Sequence, residues 1–334
     1  MAPPQPHNVP IPTRYARHDD MRRRPRVLAS VFLGVSAFLA RFPATAAPAP
    51  DADRMALRDI ISASIAGRPF PTGTLGEPLR RWVDANPGAL DGVRPGGLGE
   101  QPWGLSALHP GGDGQPSLLY LYVFDWHASG QLVVYGLAGG VRRARLLNDA
   151  DNKDMPMEQR GRSTVIVVPK QAPDPLATVV VLELEGKLET QSLALNPAPD
   201  GHVVLHARDA IVHGRTLRYE PDPRKNTVGY WTDASDWVSW QFEVLAPGTY
   251  GVEILQGCGK GSGGSEVEFA VDDKQALKVT VQDTGGFQNF VSRNIGRFRF
   301  DKPGRFTLFV KPIRKPGLAV MDLRQVTLTP VERQ

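Results

Sequence analysis

Between Gly229 and Val244 the chain reads Gly-Tyr-Trp-Thr-Asp-Ala-Ser-Asp-Trp-Val-Ser-Trp-Gln-Phe-Glu-Val, a stretch that holds three of its six tryptophans. Val238, Trp240, Phe242 and Val244 form one row at period two, and Trp237, Ser239, Gln241 and Glu243 form the other. That period is the signature of a half-buried antiparallel strand, with the even row packed into a core. Trp237 then lies on the opposite face, and Tyr230 and Trp231 sit in the loop that feeds the strand. With 34 glycines and 30 prolines among 334 residues, against a usual share of roughly 12% for the two together, the chain has the turn content of an all-β protein.

Taken in order, the first regular features are helical. Leu57, Ile60, Ile61 and Ile65 recur at helical spacing before the stop at Gly67 and Pro69, and Leu79, Trp82 and Val83 suggest a second short helix ended by Asn86-Pro87-Gly88. Glycine- and proline-rich turns follow up to Pro116. Strand-like runs then begin at Leu118–Phe124, Gln131–Leu137, Val141–Leu147, Thr164–Val168 and Thr178–Leu184, enough for a small sandwich. A linker at 188–201 separates them from nine further runs between Val203 and Leu328, spaced as a jelly-roll-like sandwich requires. The expected fold is all-β: two β-sandwich domains, at 117–187 and 202–330, behind a linker with short helices at 47–116.

The formal charge of +4 at pH 7 gives no reason to expect nucleic acid. Residues 1–46 carry seven arginines and two aspartates, so the remainder is slightly acidic and no basic patch is implied. That opening segment has the layout of an export signal: Arg22, Arg23, Arg24 and Arg26, then an apolar run from Val27 to Ala40, then Ala44-Thr45-Ala46 as a cleavage site. Met21 stands just before the arginines and reads as an alternative start. The apolar run is short for a membrane span, so a secreted or periplasmic chain without a stable span after cleavage is expected. The single cysteine, Cys258, excludes an internal disulfide or a thiolate metal cluster.

Exposed aromatics beside short polar residues suit sugar rings, whose apolar C–H faces stack while their hydroxyls hydrogen-bond. A second aromatic stretch, Asp283-Thr284-Gly285-Gly286-Phe287-Gln288-Asn289-Phe290, pairs free backbone with amide side chains that donate and accept. The candidate ligand-binding set is therefore Tyr230, Trp231, Trp237, Phe287, Gln288 and Asn289; the competing expectation is that Phe287 and Phe290 plug the sandwich edge and that Trp237 is covered. Asp322, in an apolar run, is expected to be buried and paired, with Arg324 or a backbone amide, and Arg218 and Glu220 to form a cross-strand ion pair. Gly257–Gly264 fails the spacing of a phosphate loop, and Asn148–Asp154 lacks the central glycine and closing glutamate of a calcium loop. His202, His206 and His213 make no metal set, and no catalytic residue is assigned.

Two resemblances to known families extend this reading. The succession Leu79–Asn86, Arg94-Pro95, Trp103-Gly104, Leu119–Trp126 and Gly130–Leu137 resembles the junction between barrel and C-terminal sandwich in glycoside hydrolase family 29, the α-L-fucosidases, over about residues 79–186. The catalytic carboxylates of that family lie in a barrel of about 250 residues, for which this chain has no room. The second half, with His213-Gly214, Arg218-Tyr219-Glu220, Gly229-Tyr230-Trp231, Asp236–Trp240, Pro247–Tyr250, Thr284–Phe290 and Leu318–Leu323, resembles a domain of unknown function appended to some fucosidase-like proteins. More distantly it is similar to family 6 and family 35 carbohydrate-binding modules. These likenesses imply a non-catalytic partner of carbohydrate in glycan degradation, with three alternatives kept open: binding module, accessory half of a split α-L-fucosidase with its catalytic chain elsewhere, or structural interaction protein. No cofactor is expected. Structural calcium stays open, since the glutamates that ligate it in those modules are not evident at Val203–Asp209.

Overall fold

The computed structural model describes residues 51–69, 75–112, 114–272 and 274–331. The export signal expected within residues 1–46 lies outside them. Among the described residues no helix is long and apolar enough to cross a membrane.

The first half is built on a sheet that is buried on both faces. Helices α1 (Asp51–Ile65) and α2 (Glu77–Ala85) precede strands β1 (Arg94–Pro95), β2 (Gly104–His109), β3 (Leu118–Val123), β4 (Gln131–Tyr135), β5 (Val141–Leu146), β6 (Met157–Arg160), β7 (Ser163–Val167) and β8 (Thr178–Leu184). One sheet has the order β1-β2-β3-β8-β5 and a smaller one β4-β7-β6. Alternation along β3 divides its side chains between two cores. Leu119, Leu121 and Val123 meet the small sheet, whereas Tyr120 and Tyr122 meet Leu57, Ile61 and Trp82 of the helices. The indole N–H of Trp82 donates to Ala177 O at 2.6 Å, which fixes α2 against the end of β8.

This arrangement departs from the expected boundaries. The segment 94–109, read from sequence as turns, supplies β1 and β2, and β2 pairs with β3 from Gly104↔Val123 to His109↔Leu118. A division at 116–117 would therefore cut a sheet. The helices, read as an appendage, form its second cover. The physical cue is that β3 and β8 are apolar in both rows, which a strand with one wet face cannot be.

The second half is a sandwich of two antiparallel sheets. Its strands are β9 (Val203–His206), β10 (Ile211–His213), β11 (Arg218–Glu220), β12 (Thr227–Gly229), β13 (Trp237–Val244), β14 (Gly248–Cys258), β15 (Glu266–Val271), β16 (Gln275–Thr280), β17 (Gly286–Phe300), β18 (Gly304–Arg314) and β19 (Asp322–Pro330). One sheet runs β10-β13-β18-β15-β16; the other runs β11-β12-β19-β14-β17, with β9 also on β19. Val238, Trp240, Phe242 and Val244 are all buried between the sheets, as the alternation requires. Trp240 is also satisfied as a donor, its indole N–H reaching His206 O at 2.8 Å.

Asp236 does the local organising just before β13. Its carboxylate is fully buried and accepts the N–H groups of Arg215, Thr216 and Leu217 at 2.9, 2.8 and 2.8 Å and the Thr216 hydroxyl at 2.8 Å. Its carbonyl accepts the Trp231 indole N–H at 2.8 Å. One side chain thus holds the turn that leads into β11. Only glycine fits at 214: an added Cβ there would lie 2.0 Å from the Asp236 Oδ1.

The candidate ligand-binding site

A row of residues crosses the β11-β12-β19-β14-β17 sheet near one end. Arg218 pairs with Gly229, Val228 with Leu323, Asp322 with Gly257 and Cys258 with Gly286. Arg218, Gly229, Asp322, Gly257 and Phe287 consequently follow one another from strand to strand on the face away from the core. Two glycines in that row leave the sheet without side chains on either side of Asp322. A Cβ on Gly229 would lie 2.8 Å from both the Asp322 Oδ1 and the Glu220 Oε2, and one on Gly257 only 2.1 Å from the Phe287 carbonyl oxygen, so both glycines are needed for close packing of these groups.

Tyr230 forms one wall of this trough. It is 48% exposed and holds φ at 57°, a left-handed conformation that a tyrosine adopts at a cost of about 1–2 kcal/mol. The strain is locked by its neighbour, because Trp231 is wholly buried and its carbonyl accepts Val320 N–H at 2.8 Å. The Arg218 guanidinium lies 3.3 Å from the Tyr230 ring centre and the Lys225 ammonium 5.7 Å from it. On the other wall Phe290 is capped by Arg324, whose guanidinium carbon is 3.7 Å from the ring centre. Phe287 packs beside it against Gly259, where an added Cβ would lie 2.4 Å from the ring.

Between the walls sits a carboxylate without a hydrogen bond from any described residue. Asp322 is only 4% exposed, and burial, followed by the charge of Glu220, pushes its pKa up to about 7; Lys225 and Arg324 act the other way. Glu220 is satisfied by Lys225 at 2.9 Å. Arg324 spends its donors on the backbone carbonyls of Arg224 and Lys225. The pairings expected from sequence are thus exchanged: Glu220 takes Lys225 rather than Arg218, and Asp322 is buried without Arg324 as a hydrogen-bond partner.

Of the six candidate residues, four stand on this sheet edge and two do not. Tyr230 and Phe287 form the walls, and Gln288 and Asn289 are exposed beside Phe287, with the Asn289 amide donating to Thr284 O at 3.2 Å. The loop expected through Phe290 is strand from Gly286 onward, but its pairing with β14 breaks between Gly286 and Val291, so residues 287–290 bulge from the ladder. Trp231 is a correction: at 0% exposure it is a core residue and offers no face to a ligand. Trp237 is outward but on the opposite sheet, stacked on His213 at 3.5 Å with a 3° interplanar angle and topped by Lys311 at 4.8 Å. Its faces are taken by the protein itself. Arg218, Glu220, Lys225, Phe290, Asp322 and Arg324 complete the trough; their assembly depends on strand pairing that no local pattern encodes.

Elsewhere the chemistry is structural. Cys258 is buried, its thiol pushed up to about 11 mainly by burial. Among the described residues no group of three or more His, Cys, Asp or Glu side chains is placed to hold a metal.

Comparison with known proteins sets this geometry in context. No curated protein sequence matches the chain. Among solved structures it is similar to an alpha-L-fucosidase from Vibrio sp. strain EJY3, at 15% identity and a TM-score of 0.32, over 76% of this chain and 44% of that one. The chain thus spans less than half the length of that relative. It is also similar to a family 35 carbohydrate binding module from Clostridium thermocellum (15% identity, TM-score 0.33, 39% of this chain and 98% of that one). A third likeness is to the C-terminal family 6 module of a laminarinase from Zobellia galactanivorans (16% identity, TM-score 0.32, 38% and 98%). Residues 217–314, which carry most of the trough, match the family model described as carbohydrate binding module (family 35).

Proposed function

We propose that the chain is an exported, non-catalytic carbohydrate-binding protein that serves glycan degradation, and that the trough around Asp322 is where the sugar sits. The observation that carries this reading is a carboxylate, Asp322, 4% exposed and given no hydrogen bond by any described residue, set between two aromatic walls. A pyranose has the complementary surface: its C–H face stacks on Tyr230 or Phe287, and a hydroxyl supplies the donor that Asp322 lacks. Glu220, Gln288 and Asn289 offer further acceptors and donors around the rim. The strain held at Tyr230 favours a functional role over a packing one, since an exposed side chain gains little stability from that conformation. The family match at 217–314 supports the same ligand class. The arginine-rich and apolar segments before Ala46 support export.

Affinity electrophoresis through a panel of plant, algal and microbial polysaccharides tests the site. The wild-type chain is expected to be retarded by at least one polymer. Tyr230→Gly removes the wall while relieving the left-handed strain, so it should stay folded with stability within about 1 kcal/mol of wild type and bind at least about tenfold more weakly. Trp237→Ala should leave retardation unchanged. A Tyr230→Gly chain that binds like wild type, or a Trp237→Ala chain that loses binding, would move the site away from the trough.

A further inference from the structure

We infer that the first half of the chain is part of the ligand site, with His127 as a positioning residue that holds Arg218, and through it Tyr230, in place. His127 lies in the loop between β3 and β4. Its Nε2 is 2.8 Å from Leu217 O, the carbonyl immediately before Arg218. A carbonyl only accepts, so Nε2 carries the proton, and Nδ1 is left to accept the Ser129 N–H at 3.1 Å and the Ser129 hydroxyl at 2.6 Å. The tautomer is fixed by its partners. Next to it Ala128 N–H donates to Arg215 O at 3.1 Å.

Arg215–Leu217 is therefore gripped from two sides. Asp236 accepts its three N–H groups from within the second sandwich, and the His127–Ala128 loop donates to the carbonyls at its two ends from the first. Leu217 is fully buried in the core of the second sandwich, and on its other side a cavity of about 70 Å³ is lined by His127, Arg218, Trp103 and Tyr219 among others. Burial holds the His127 ring below its usual range, with the Leu217 carbonyl and Asp236 opposing and Arg218 reinforcing that shift. The clasp thus works with a neutral ring at pH 7.

The affinity arm of the test rests on the carbohydrate reading; the spectroscopic arm does not. In ¹⁵N-labelled full-length chain, the Arg218 Nε–H and the Leu217 and Arg218 amide resonances are followed at pH 7, together with retardation by the polysaccharide that wild type binds best. His127→Leu, which has no donor, is expected to move these resonances and to weaken binding roughly five- to tenfold. His127→Gln, whose amide can still donate toward Leu217 O, should return the resonances toward wild type and affinity to within about twofold. If His127→Leu does not fold, His127→Asn, whose amide is too short to reach, replaces it as the loss variant. Arg218 resonances unmoved in the loss variant, or Gln no better than the loss variant, overturn the inference. A wild-type chain that retains no polysaccharide sinks the carbohydrate reading, and the Arg218 resonances alone then decide this one.

Discussion

Replacing Asp236 by alanine is expected to lower the thermal unfolding midpoint by roughly 10 °C, equivalent to about 4 kcal/mol for a domain of this size. The loss comes from what is left behind. Three backbone N–H groups and the Thr216 hydroxyl now share two carboxylate oxygens in a site with no solvent exposure. Without the acceptor they are buried donors, each of which costs about 1–3 kcal/mol, partly recovered if water enters. Asp236→Asn should lose less, because one oxygen remains while its NH₂ faces other donors. Gly214→Ala, which places a methyl 2.0 Å from the Asp236 Oδ1, should approach the alanine variant in severity. Melting followed by tryptophan fluorescence checks all three; a loss within about 1 kcal/mol for Asp236→Ala would show that the turn is held by something else.

The second large effect has opposite signs for stability and binding. Asp322→Asn should make the chain more stable and a poorer binder. In the native state the carboxyl is raised from 3.8 to about 7 by burial and by Glu220. A group with a raised native pKa holds its proton more tightly when folded, so its stabilising contribution is whole below about pH 4 and is lost as pH rises to 7. Asparagine does not ionise. Its advantage should therefore be absent below about pH 4, grow between pH 4 and 7, and level off above that on the order of 3 kcal/mol. Binding should fall at least about tenfold at pH 8, since the anionic acceptor is gone. Such opposition is expected where a site is kept ready for a ligand at the expense of stability. Equal melting of the two proteins at pH 8 would mean that Asp322 is not desolvated.

How much of this was legible in the sequence depends on whether the cause was local. The alternation over Val238–Val244 placed Trp240 and Phe242 in the core because period two is a property of the strand alone. It also put Trp237 on the outer face, yet said nothing of His213, which arrives from β10 and covers it. Trp231 lies in a loop, where no period applies; its burial follows from the left-handed turn at Tyr230, a conformation that residue type does not announce. Asp322 could be read as buried, but its lack of a partner is set by Arg324 turning to the carbonyls at 224 and 225, about one hundred residues away. The helices at 51–85 were recognised by their spacing; their role as a second cover was written in β3 and β8, where both rows are apolar.

Within the trough, Tyr230 is exposed, strained and capped by Arg218. Isothermal titration of the wild-type and Tyr230→Gly chains with oligosaccharides of the polymer that retards the protein is the most direct measurement. Saturable binding at one site per chain is expected for wild type, and at least about tenfold weaker binding for an equally stable Tyr230→Gly chain. Equal affinity in the two proteins would contradict a site at Tyr230.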